Sequence, residues 1–182
     1  MAVYLGSQAA SVILGDSAPE HTRAPKTGVK GFVRKGLARW GPLVCLRAAI
    51  AAARLIVNDS DELPEEARRL YVHLAEEYAI EQRQALLDRL RGLPRLPLPS
   101  AKKWQAHWWA GYGCMCTLAT QTGGSPAWKA KDTVESVSKA VGGDAPVRAA
   151  VVAELLPWAL GYSDPVRERV EAREAREATS ED

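Results

Sequence analysis

Segment after segment of this chain opens on a proline and closes on a glycine. Pro42, Pro64, Pro126 and Pro165 stand at segment starts, and Gly92, Gly142 with Gly143, and Gly161 stand at segment ends. Proline has no amide hydrogen, and its fixed φ suits the first helical turn, where that donor has no partner in any case. Glycine enters the left-handed conformation that closes a helix without a Cβ clash. Between these marks the apolar residues recur at intervals of three and four, and after residue 28 no alternation of period two persists. The chain is expected to be all-α: a single bundle of about five to six helices, with an irregular N-terminal arm and a polar C-terminal helix.

Residues 1–28 are rich in Ala, Ser, Gly, Thr and Pro and read as the irregular arm. The helical bundle is expected over 29–162, and an exposed polar helix and tail over 163–182. A first helix covers Val29 to Trp40, and Gly41 and Pro42 interrupt it. The next runs from Leu43 to Val57, with Leu43, Leu46, Ile50 and Val57 on one face and alanines that permit close packing. A third starts at Pro64, carries Leu63, Ala67, Leu70, Leu74 and Tyr78 as its apolar stripe, and ends near Arg91 and Gly92. The prolines Pro94, Pro97 and Pro99 make 93–99 an extended connector. Ser100 caps a helix reaching about Thr120, and Ser125 caps another from Ala127 to Val141. Asp144 caps a helix through Leu156 that Pro157 kinks or divides. Asp164 and Pro165 open the last, through Ala178, whose Glu, Ala and Arg repeats bury little.

Charge supplies the strongest functional signal. The net charge is only +2, yet its distribution is uneven. Residues 21–58 carry +8 and residues 89–131 carry +7, without one acid in either segment. Residues 1–20, 59–88 and 132–182 carry −2, −6 and −5. Such asymmetry points to a polyanionic partner or to charge-matched self-association. In the first basic segment, Lys30 with Arg34 and Lys35 with Arg39 pair on helical faces and suit phosphate contact. Arg47 and Arg54 interrupt the most apolar run of the chain. In the second, Arg95, Lys102, Lys103, Trp104 and His107 interleave bases with aromatics, which can hold a backbone and stack bases. Two structural alternatives stand beside these readings: the bases of the first segment pair with the acids of 59–88, and the tryptophans belong to the core.

No GxSxG, P-loop, HExxH or paired ExxH appears, so no enzymatic activity and no cofactor are expected. Cys114 and Cys116 are one residue apart, with no second pair, so no metal site is expected. Gly123, Gly124 and Ser125 before a helix suit either an anion or an ordinary cap. Three cysteines, an odd number, make no disulfide framework and fit a reducing, cytoplasmic setting. Residues Met1 to Gly6 lack the basic start and apolar run of a secretory leader. No apolar run reaches the roughly 18 residues of a membrane span, so no membrane partner is expected.

In size, helix content and basic faces, and in the run Val33-Arg34-Lys35-Gly36-Leu37-Ala38-Arg39-Trp40 before an Ala-rich helix, the chain resembles the small helical subunits of CRISPR effector complexes. The resemblance covers the chain as an architecture and carries no residue over. It implies subunits packed side by side along a guide-bound filament, touching nucleic-acid backbone. The expected partners are therefore RNA or single-stranded DNA, and other protein subunits, copies of itself among them. The competing expectation is a protein–protein module, such as an immunity or toxin-neutralising protein or a phage structural component.

Overall fold

The first described helix, α1 (Pro42–Arg54), has Pro42 in its first turn and begins at Gly41, whose φ of 98° only glycine adopts without strain. Its sequence places leucine and isoleucine on one face and alanines elsewhere, which permit close packing. Every residue from Val44 to Ala53 is buried. Alanine presents little side chain, so neighbouring helices close in on the faces where it stands, and the helix is covered on every side. Its neighbours are α2 (Glu65–Glu81), α4 (Pro126–Ala140) and α5 (Asp144–Leu160).

The chain's structure is a computed structural model that describes residues 41–56, 65–92 and 126–180. These form six α-helices and, among the described residues, no strand. The two remaining helices are α3 (Gln84–Gly92), which packs on α2, and α6 (Pro165–Ser180), which lies against α2 and α5. The all-α bundle expected from the sequence is the fold observed. The N-terminal arm, the expected helix from Val29 to Trp40, the connector 93–99, the expected helix from Ser100 and the Gly123–Ser125 loop lie outside the described residues. Among the described residues, no helix is long and apolar enough to cross a membrane.

Around α1 the core is built from short side chains. Val72, Ala75 and Ala79 come from α2, Ala130, Val134 and Val137 from α4, and Val147, Val151, Leu155, Trp158 and Ala159 from α5. The α4 positions are spaced four and three apart, one face of a helix. Cys45 sits within this cluster, and burial pushes its thiol up to about 11, which leaves it protonated and inert.

Three local expectations change. The helix expected to run unbroken from Pro64 to Arg91 divides after Glu81. Gln82 takes a φ of 50°, its amide donates to the Tyr78 carbonyl at 2.9 Å, and Arg83 pairs with Glu81. Neither glycine nor proline marks this break. Asp144 lies inside the first turn of α5 and Gly143 is the N-cap, so the acid meets the positive end of the helix rather than capping it. Pro157 does not end α5, which continues to Leu160. There Gly161, at φ 74°, donates to the Trp158 carbonyl and Tyr162 donates to the Pro157 carbonyl, a Schellman closure. The proline removes one amide donor only in the last turn, where few bonds remain to be lost.

Candidate nucleic-acid interface

The expected phosphate contacts Lys30, Arg34, Lys35 and Arg39, and the expected mixed cluster Arg95, Lys102, Lys103, Trp104 and His107, lie outside the described residues. What the structure does describe is the fate of the other bases in those segments. Two of the eight bases in the first acid-free segment, Arg47 and Arg54, stand on α1, and both are taken up by acids of the protein itself.

Arg47 is 1% exposed. Its Nη1 donates to Asp164 Oδ1 at 2.7 Å and its Nη2 to Oδ2 at 2.8 Å, a bidentate pair. The guanidinium carbon lies 4.1 Å from the centroid of the Trp158 ring, within cation–π range. Nε is buried and, among the described residues, has no hydrogen-bond partner. Asp164 also caps α6, since its Oδ1 accepts the amides of Val166 and Arg167 at 3.1 and 3.2 Å. One carboxylate thus fixes the start of α6 to the middle of α1.

Partial burial by itself raises the Asp164 carboxyl. The Arg47 guanidinium and the two capping amides outweigh that effect and hold it below its usual value of 3.8. A carboxyl depressed on folding contributes stability that is fully present above its unfolded pKa and is lost as pH falls through the lower folded value. Wild-type stability is therefore expected to fall as pH drops below about 4, and Asp164→Asn is expected to flatten that part of the profile. Urea titrations of both proteins between pH 6 and pH 2 check this. Parallel profiles would show that Asp164 contributes nothing to the acid limb.

Arg54 reaches a second, larger network. Glu76 of α2 is fully buried. Its Oε1 accepts Arg54 Nη1 at 3.2 Å and Arg169 Nε at 2.8 Å, and its Oε2 accepts Arg173 Nη1 at 3.0 Å. Arg169 Nη2 donates on to Glu154 at 2.9 Å, and Arg173 Nη2 to Glu77 at 3.2 Å. Three arginines and three glutamates from four helices make a neutral set. Burial lowers the Arg169 pKa, but the bonds and charges of Glu154 and Glu76 more than reverse this, so its charge is secure. The helix read as burying little thus lays one face against the bundle: Val166 and Val170 are buried, and Arg169 and Arg173 reach between helices. Its other positions are mostly exposed, and 174–180 wholly so.

The second acid-free segment meets acids where it ends. Lys131 bonds Asp132 at 3.0 Å and lies 3.4 Å from Glu135. The hydrogen bond it donates to Asp132 is the main cause of its raised pKa. Lys131 also stands 5.1 Å from the centroid of the half-exposed Trp128 ring. Among the described residues, Lys plus Arg number fifteen and Asp plus Glu number fifteen, so the described body is electrically neutral. Residues 21–40 and 93–125 hold nine of the remaining bases and no acid.

The sequence reading missed the partners of Arg47 and Arg54 as individual pairs. One signal was present: two arginines in an Ala-rich apolar run imply buried charge, and buried charge requires a counter-charge. Among the described residues, no three His, Cys, Asp or Glu side chains converge as a metal site requires. No protein family, no curated protein and no solved structure matches this chain.

Proposed function

We propose that this chain is a non-catalytic helical subunit that binds nucleic-acid backbone without sequence preference, within a larger ribonucleoprotein or defence assembly of the CRISPR small-subunit kind. The charge balance carries this reading. The described body carries as many acids as bases, and Arg47 and Arg54 are each paired with one of those acids. The surplus then resides in the acid-free stretches 21–40 and 93–125. Lys30, Arg34, Lys35, Arg39, Arg95, Lys102 and Lys103 are the proposed phosphate contacts, with Trp104 and His107 stacking on bases. Neighbouring subunits, copies of this chain among them, are the proposed protein partners, and a reducing cytoplasm suits the three cysteines.

Fluorescence anisotropy at low salt, with single-stranded RNA, single-stranded DNA and duplex, tests the reading. The expected result is micromolar or tighter binding whose logarithm falls linearly with log salt, by about 0.7 per phosphate contacted on a single strand. Replacing Lys30, Arg34, Lys35 and Arg39 by alanine is expected to flatten that slope and weaken binding to all sequences alike. Absence of binding to all three polymers at micromolar protein sinks the proposal and leaves the protein–protein module in its place.

A further inference from the structure

Four helix ends meet at one side of the bundle and leave a cleft of about 440 Å³ between them. Leu43 comes from the start of α1 and Arg47 from its middle, Ile80 from the end of α2 and Gln82 from just beyond it, Trp158 from the end of α5, and Arg167 from the first turn of α6. The walls are partly apolar, and the charged lining groups are two arginines, Arg47 and Arg167, and two carboxylates, Glu81 and Asp164. Arg47, almost wholly buried, forms the floor, and its charge is matched there by the bidentate pair with Asp164. α1 begins nearby at Gly41 without a side-chain cap, and a helix start carries partial positive charge. The acids lining the cleft are already matched: Asp164 by Arg47, and Glu81 by Arg83. Arg167 is exposed, and among the described residues its guanidinium has no ion-pair partner. One wall residue, Gln82, is held in the left-handed region, a strained conformation that clusters at binding sites.

From this combination we infer that the cleft binds a small organic anion, with its carboxylate or phosphate group at Arg167 over the Arg47 floor and its apolar body against Leu43, Ile80 and Trp158. A pocket that is mostly preformed, partly apolar and furnished with a few convergent polar groups is the ordinary form of a small-molecule site. The residues named in the cleft lie outside the acid-free stretches assigned to nucleic acid, so this inference stands or falls independently of that reading.

Isotope-edited NMR of the full chain reads the site locally, through the Trp158 indole N–H and the Gln82 amide. The probes are benzoate and phenyl phosphate, with benzamide as the neutral match and inorganic phosphate as the bare headgroup. One or both aromatic anions are expected to shift both signals saturably below about 10 mM, and the two controls are not. Arg167→Ala is expected to weaken binding about tenfold, the loss of one charge-assisted contact, and Arg167→Lys to restore part of it. Arg148→Ala, an exposed change near the other end of α5, is the control expected to bind as wild type. The inference is overturned if neither anion shifts the two signals, if the shifts survive unchanged in Arg167→Ala, or if benzamide produces them equally. Inorganic phosphate matching phenyl phosphate would overturn it too, by removing the role of the apolar wall.

Discussion

Arg47→Ala is expected to destabilise the fold by about 4 kcal/mol, the largest effect of any single substitution considered. The side chain is almost entirely buried, bonded twice to Asp164 and stacked on Trp158. Truncation removes the stem packing and the ring contact together, and it deprives a half-buried carboxylate of its counter-charge. The carboxylate retains the capping amides of α6, which limits the loss on its side. Arg47→Met separates these contributions, because methionine keeps most of the stem. A double-mutant cycle pairing it with Asp164→Asn, which retains an oxygen for the α6 amides, is expected to give a coupling of about 2 kcal/mol. Urea denaturation midpoints, read with an unchanged m-value, measure both. A loss below about 1 kcal/mol for Arg47→Ala would mean that the pair is no stronger than a surface contact.

Glu76→Ala is expected to cost about 3 kcal/mol, somewhat less than Arg47→Ala. The carboxylate is fully buried and accepts three guanidinium bonds. Its removal leaves three like charges facing one another. The side chains of Arg54, Arg169 and Arg173 are 42%, 23% and 15% exposed, so each can turn toward water, and the cost falls at the low end for a broken buried pair. The damage is expected to concentrate in α6, which is held by two of those arginines and only two buried apolar side chains, Val166 and Val170. Hydrogen exchange is expected to quicken over α6 while α1 stays protected. Uniform loss of protection across α1, α5 and α6 would show that the network supports the whole bundle rather than anchoring one helix.

These two sites show how the chain's charge pattern is used. Acids and bases are segregated along the sequence, yet both described bases of the first basic segment that stand on α1 are paired with acids of other helices or their caps. Arg54 met an acid of 59–88, as one reading of the sequence allowed, whereas Arg47 met Asp164, 117 positions away. The structural alternative thus holds for Arg54, whereas Arg47 is paired by an acid outside 59–88. The proposed interface draws on the remaining bases of the first basic segment.

The sequence by itself determined the features whose physics is local. Proline at a helix start and glycine beyond its end act through their own φ and their own amide, so Pro42, the α4 boundaries, the Gly161 closure and the Asp164–Pro165 start of α6 were legible residue by residue. The all-helical class followed from the same marks and from the apolar spacing. Only the tertiary structure decided three other matters. It divided the third expected helix at Gln82, where no glycine or proline stands. It enclosed the alanine faces of α1, because whether a small side chain is covered depends on the helices brought against it. It chose the acid that neutralises each buried arginine, because a charge pairs with the opposite charge nearest in space, and that distance exists only once the helices have packed.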